Sequence, residues 1–280
     1  MISFHQPLEL WRLSRRLGLG IPSTMNLYRL YYCARRPALR KLAPDSLVLD
    51  LPRWGKVNLR TNGHDLNLLH QIFVREDYRL DVPEQPVHRV LDLGANIGMA
   101  TLYLAKLFPE AEFACVEPSP QNLSLLRRTL EMNQLRARVF EAAAGSEPGE
   151  IQLYLSSQPD CNSIYASAQA SGSIQVPLLT VPEIMRQMGW DSIDLLKIDI
   201  EGAERLVLGE NNSWLARVRI ITGESHVNVG YPYAQVEKDL ASFGFVLESL
   251  IPETADYGAS FRGANSRFTG TGQTPAATLK

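Results

Sequence analysis

Cysteine is scarce in this chain: Cys33, Cys115 and Cys161 are the only three in 280 residues, an odd number without metal-ligand spacing. That excludes a disulfide framework and a structural zinc site as organising devices and makes a reducing compartment the natural expectation. Long apolar runs are missing as well. None approaches the roughly 20 residues that span a bilayer. The opening Met1-Ile2-Ser3-Phe4-His5-Gln6-Pro7 has neither the basic stretch nor the apolar centre of an export signal, so a cytoplasmic protein is expected. Net charge is nearly absent too, at -2, which removes any overall reason to expect nucleic acid as a partner.

What is present is ordinary in amount and uneven in placement. With 45% hydrophobic residues the chain can bury the core of one large α/β domain plus an N-terminal extension. Residues 1–41 hold Arg12, Arg15, Arg16, Arg29, Arg35, Arg36, Arg40 and Lys41 against the single acid Glu9. Interleaved with Trp11, Leu13, Leu17, Tyr28, Tyr31 and Tyr32, they read either as an arm packed on its own domain or as a surface at the inner membrane face. In the second case it would meet anionic lipid or a lipid-linked substrate.

The expected organisation is a basic extension and hairpin cap over 1–63, a catalytic domain over 64–262 and a mobile tail over 263–280, rich in Gly, Thr, Ser and Pro. Residues 46–52 and 56–60 read as the two strands of the hairpin, and 66–78 as a helix capped by Asp65. From Val90 short apolar strands alternate with amphipathic helices, which signals βαβ units: a doubly wound, mostly parallel, Rossmann-like sheet. Strands are expected at 89–93, 112–116, 138–141, 193–198 and 220–224, helices at 99–108, 120–133, 204–208 and 233–243, and a closing strand at 245–250. Between the third and fourth core strands, 150–155 and 174–179 read as extra strands around a polar loop containing Cys161-Asn162-Ser163.

The run Val90-Leu91-Asp92-Leu93-Gly94-Ala95-Asn96-Ile97-Gly98 is an apolar strand entering a two-glycine turn and then a helix. In an open α/β sheet that turn meets a nucleotide-like ligand. A dinucleotide fingerprint would need a third glycine at position 99, which is Met99, and a pyrophosphate would not want Asp92 just before the turn. S-adenosylmethionine has the opposite demand. Asp92 suits its ammonium, Asn96 or backbone amides suit its carboxylate, and Glu117, at the next strand end, can accept from both ribose hydroxyls. Gly94 and Gly98 let the backbone come close, and Ala142 or Ala143 stands where an adenine ring would lie.

Asp199 ends the fourth core strand, facing the place where a transferable methyl would be. It can act as general base for an acceptor hydroxyl or ligate a divalent cation such as magnesium, and Glu201 can assist either role. Glu224 and His226, two residues apart on the next strand, would complete a carboxylate and imidazole cluster or, with Asp199, a metal site. A blander reading makes Lys197, Glu201 and Glu204 exposed helix-start charges, which suits Glu204 best.

These residues resemble the FkbM-type methyltransferases, S-adenosylmethionine-dependent enzymes that mostly methylate hydroxyls of polyketides, glycans or glycolipids. The likeness covers residues 64–250 and rests on His64-Asp65 through Phe73 and Tyr78, on Asp92 to Gly98, and on Glu117-Pro118 with Asn122 and Asn133. It continues in Asn162-Ser163, in Lys197-Ile198-Asp199-Ile200-Glu201-Gly202, the most specific run, and in Glu224-Ser225-His226. The resemblance implies that Asp92, Gly94, Asn96, Gly98 and Glu117 hold the cofactor, and that Asp199, Glu201, Glu224 and His226 line the acceptor site. The expected reaction is in-line transfer of a sulfonium methyl to a small-molecule or glycan hydroxyl. Two other readings stand beside it: a nicotinamide-dependent oxidoreductase, and a non-catalytic binding module that keeps the cofactor fold.

Overall fold

Alternating apolar strands and amphipathic helices bury both faces of a sheet, and the chain from residue 89 onward is built this way. The computed structural model describes residues 7–62, 65–81, 83, 85–156, 162–165, 170–209, 211–254 and 258–268. His64, Cys161 and the tail from 269 onward lie outside them. Three helices come first, α1 (Pro7–Arg16), α2 (Ile21–Arg35) and α3 (Pro37–Arg40), then the antiparallel hairpin of β1 (Ser46–Leu51) and β2 (Gly55–Arg60). Next come α4 (Asp65–His70), which runs into a π turn (Gln71–Arg75), and the units β3 (Arg89–Leu93), α5 (Met99–Leu107), β4 (Glu112–Val116), α6 (Pro120–Met132) and β5 (Ala137–Phe140). A small sheet of β6 (Ala143–Gly145), β7 (Gly149–Ser156) and β8 (Ala170–Thr180) leads through α7 (Val181–Met188) back to the main sheet. There the chain continues with β9 (Ile193–Ile198), α8 (Glu204–Leu208), β10 (Val218–Glu224), α9 (Tyr233–Ala241), β11 (Phe245–Ile251) and β12 (Ser260–Asn265).

The main sheet has seven strands in the order β11-β12-β10-β9-β3-β4-β5. Strands β10, β9, β3, β4 and β5 are parallel neighbours, while β12 is antiparallel to both β10 and β11. The chain leaves β3 toward β4 and returns on its other side as β9, so a switch-point crevice opens at the carboxyl ends of β3 and β9. Side chains alternate across this sheet. Val90, Phe113, Cys115 and Leu195 join one core with α5 and α6, whereas Leu91, Leu93, Ala114, Val116, Leu196 and Ile198 join the other.

The N-terminal segment is welded to the first core. Leu10, Leu13, Leu27, Leu49 and Leu59 share it with Leu102 and Phe113, and Trp54 at the hairpin turn stacks on Tyr103 at 4.6 Å. Among the described residues no helix is long and apolar enough to cross a membrane.

Three local differences from the sequence-based expectations have physical causes. Asp65 opens α4 rather than capping it from outside, because its carboxylate accepts from the Arg60 amide at 2.7 Å and pairs with the Arg60 guanidinium at 2.6 Å. The helix expected over 66–78 stops at the π turn, where Glu76 takes a left-handed conformation with φ 59°. Finally, β11 does not close the sheet against β10: β12 lies between them, so Gly263 to Asn265 are strand rather than tail. Glycine content misleads there, since a Cβ on Gly263 would sit 2.3 Å from Leu247 Cδ2 and the strand is admitted only without one.

Candidate functional site

The turn after β3 is shaped by a buried ion pair beneath it. Asp92 and Lys197 are register partners on neighbouring parallel strands and point to the same face, with Lys197 Nζ 3.1 Å from Asp92 Oδ1 and side-chain exposures of 2% and 0%. Thr101 donates to Asp92 Oδ2 at 2.6 Å. The ammonium also donates to the carbonyls of Leu93 at 3.2 Å and Gly94 at 2.7 Å, so it fixes the path of the turn. Burial works against this charge, but Asp92 and then Asp199 hold the lysine pKa above its ordinary value. Asp92 is therefore committed to Lys197 and Thr101 and does not line the cleft, contrary to the expectation that it would meet a ligand ammonium. Lys197, taken as an exposed helix-start charge in one reading, is instead the cation around which the turn is built.

Gly94 has φ +79°, and a Cβ there would lie 1.8 Å from the carbonyl oxygen of Asp199, so the turn and the end of β9 touch backbone to backbone. Gly98 opens α5 and faces Leu126 and Thr129 of α6 rather than the cleft. Asn96, at φ 50°, lines the cleft; its amide donates to Glu117 Oε2 at 2.9 Å and its Oδ1 is buried without a partner.

Glu117, just past β4, is buried and held from three sides. Besides Asn96, the Ser119 amide donates to Oε1 at 2.8 Å and Asn122 Nδ2 at 3.1 Å. Burial pushes its pKa up, and these donors offset part of that. Ala142, Ala143 and Ala144, buried around β6, line the same cleft. Asn162 also lines the cleft, its Oδ1 accepting from the Ser156 amide at 2.8 Å while its Nδ2 has no partner.

Carboxylates gather in the same cleft. Asp199 follows β9 directly, its amide bonded to Leu93 O at 3.2 Å. Tyr78 donates its hydroxyl to Asp199 Oδ2 at 2.7 Å, and Asp199 Oδ1 has no hydrogen-bond partner. His226 Nε2 is 3.8 Å from Asp199 Oδ1 and 3.7 Å from Glu201 Oε2, and its Nδ1 is 3.1 Å from Glu204 Oε1. Glu204 is fully buried and also accepts from the Ile200 amide at 2.7 Å, so it is no exposed helix-start charge. Ser163 donates to the Glu201 carbonyl at 2.8 Å and steadies that residue at φ 53°.

Burial would lower the His226 pKa, yet Glu204, Glu201 and Asp199 raise it well above 6.5. Burial and then the Asp199 charge push Glu224 up to about 7. Burial, followed by Asp199 and Glu224, also raises Tyr78 well above 10.0. Among the described residues the three side chains whose ligand atoms converge within 4.8 Å are Asp199, Glu201 and His226. Glu224 is not one of them, which corrects the set expected from the sequence: His226 has left the strand and turned toward Glu204, so the two no longer act as neighbours on one extended face. Tyr78, Asn122, Asn162, Lys197 and Glu204 are participants that sequence reasoning assigned no site role. The signal for two of them was present in the Lys197 to Glu204 run.

Residues 92–259, the segment carrying this cleft, match the family model described as the methyltransferase FkbM domain. Among curated relatives, the AMB antimetabolite synthetase AmbE of Pseudomonas aeruginosa is 30% identical over 64% of this chain and 10% of its own length. The 2-O-methyltransferase NoeI of Sinorhizobium fredii is 28% identical over 50% of this chain and 64% of its own. The 31-O-demethyl-FK506 methyltransferase FkbM of Streptomyces tacrolimicus is 26% identical over 71% of this chain and 89% of its own. The chain thus spans a tenth of the first of these and less than two thirds of the second. With a family model covering more than half of the sequence, the chain belongs to the methyltransferases defined by the FkbM domain.

Proposed function

We propose that the chain is an S-adenosylmethionine-dependent O-methyltransferase whose acceptor is a hydroxyl of a sugar, glycolipid or other natural product. The observation that carries this reading is one cleft that brings together Glu117 and the unpartnered polar atoms of Asn96, Asn162 and Asp199. Buried polar atoms without partners are rare unless a ligand completes them. Asn96 Oδ1 would accept from an ammonium, Glu117 from ribose hydroxyls, and the three alanines would pack on the adenine. Met99 lines the cleft in the first turn of α5, where a dinucleotide pyrophosphate would want glycine.

When bound, S-adenosylmethionine supplies a methyl group on a sulfonium that leaves without acid assistance. The protein then has to align the acceptor and take up one proton. An acceptor hydroxyl aligned with the donated methyl group would pass its proton to Asp199 Oδ1. Tyr78 holds the other carboxylate oxygen, and His226, held by Glu204, stands 3.8 Å from Asp199 Oδ1. Alignment of the reactants supplies most of the acceleration. Two of the relatives carry methylation at oxygen in their names, which supports an oxygen acceptor.

The spacing of Asp199, Glu201 and His226 would also accept a divalent cation. The His226 Nδ1, 3.1 Å from Glu204 Oε1, would leave Nε2 to face such an ion. Calorimetric titration with S-adenosylmethionine, S-adenosylhomocysteine and NAD, each with magnesium and with EDTA, tests the whole reading. Binding of the adenosyl ligands alone, unchanged by EDTA, is expected; binding of NAD without them would overturn it.

A further inference from the structure

Eight large apolar side chains are exposed among the described residues, and six of them, Leu8, Trp11, Ile21, Met25, Leu39 and Leu42, fall within the first 42 positions. Ile21 and Leu42 keep 79% and 86% of their surface. Along α1 and the turn after it, Leu10, Leu13, Ser14 and Leu17 face inward, and the opposite stripe of the same spacing is Leu8, Trp11, Arg12 and Arg15. In α2, Ser23, Leu27, Leu30 and Tyr31 face inward while Ile21, Met25 and Arg29 follow one another, turn by turn, on the outside. The two helices are tied together by the hydroxyls of Ser14 and Thr24 at 2.6 Å, and α2 is tied to β1 through Asn26 and Ser23. The inner faces are thus already satisfied by this chain's own core, and the outer faces mix exposed apolar groups with arginine.

We infer that the outer face of α1, α2 and α3 is a docking surface for an anionic lipid bilayer. Apolar side chains that enter the acyl boundary, flanked by cations that meet phosphate, are the composition such a surface requires. Charge selects this occupant over others. A second copy of the chain would bring the same arginines face to face. Nucleic acid would be met by Arg12, Arg15, Arg29, Arg40 and Lys41 but would leave Ile21, Met25 and Leu42 in water. The surface lies on the N-terminal helices, apart from the cleft residues, and does not depend on which methyl donor or acceptor the cleft takes.

The test is flotation of the full chain with vesicles of phosphatidylcholine alone and of phosphatidylcholine mixed with phosphatidylglycerol. Recovery with the anionic vesicles is expected at about ten times that with neutral ones and to fall as salt is raised. Trp54, Trp190 and Trp214 are buried and Trp11 is exposed, so a blue shift of tryptophan emission on the anionic vesicles reports Trp11 alone. Trp11→Phe should abolish that shift. Trp11→Ser with Leu42→Ser should lower recovery about fivefold, and Arg12→Glu with Arg15→Glu should lower it to the neutral-vesicle level, each with an unaltered thermal midpoint. Equal recovery on both vesicles, binding that survives both double substitutions, or an unshifted Trp11 would overturn the inference. So would a dimer in light scattering that occupies this face, or RNA binding without vesicle recovery.

Discussion

Arg60 donates from its guanidinium to Asn122 Oδ1 at 2.8 Å, and through this bond the N-terminal hairpin reaches the acid at the end of β4. Asp65 fixes the other side of the guanidinium, and Asn122 passes its amide to Glu117. Asp65, Asn122 and Glu117 are buried and Arg60 is nearly so, so the relay works at low dielectric, where a fixed geometry matters most.

Arg60→Met leaves the Asp65 carboxylate buried without a cation and should cost about 3–5 kcal/mol in denaturant unfolding. Arg60→Lys keeps the charge but cannot bridge Asp65 and Asn122 in one plane. It should keep most of the stability and weaken adenosyl-ligand binding by about tenfold, read by calorimetry. Unchanged affinity in the lysine variant would reduce the relay to a structural brace.

Asp199→Asn removes the open carboxylate oxygen while preserving shape. Turnover should fall by about 100-fold to 10,000-fold, with donor affinity unaltered. Tyr78→Phe, which frees Asp199 Oδ2, should lower kcat by about tenfold and leave donor binding alone. Normal turnover by the asparagine variant would remove Asp199 from proton transfer.

The pH dependence of stability has two contributions of the same sign, both lowering stability as pH rises. The His226 pKa is raised on folding, so its stabilising effect is complete below 6.5 and is lost as pH climbs through the higher folded value. Glu224 is an acid whose pKa rises from 4.5 to about 7, so its ionisation strains the fold increasingly across that interval. Glu224→Gln should therefore stabilise on the order of 3 kcal/mol at about pH 8 and do nothing at about pH 4. Chemical denaturation at the two pH values reads the difference; equal effects at both would contradict the assignment.

Gly94→Ala places a methyl inside the Asp199 carbonyl contact at a positive φ and should yield protein destabilised by more than about 3 kcal/mol. Lys197→Met should cost about 3–5 kcal/mol by stranding Asp92. Combining it with Asp92→Asn should restore part of that loss, and the size of the recovery measures the pair directly.

The parallel core was legible because strands such as 89–93 and 193–198 are apolar runs bounded by turn residues, and their ends coincide with the observed ones. Charged residues were harder to place. Asp92 reads as a strand-tip acid, and only the register of β3 against β9 reveals that Lys197 lies beside it. Glu204 looks like a solvent-facing helix start, because nothing local announces that His226, from the turn after β10, arrives at 3.1 Å. Small sequence signals also hid whole elements. β6 is three residues of Ala and Gly, α7 is a short helix with a capping box at Thr180 and Glu183, and β12 carries Phe261 as its one large apolar group.

The insertion of β12 between β10 and β11 has a consequence for biosynthesis. β11 is made before β12 yet has no other strand neighbour among the described residues. A ribosome therefore releases both the β10 margin and an orphan β11 before the segment that joins them exists. Until Ser260 to Asn265 thread into that gap, two rows of free amides and carbonyls are open to pairing with other nascent chains. β12 thus decides when this edge of the sheet ceases to be an aggregation hazard, and truncation before residue 260 would be more damaging than the modest length it removes suggests.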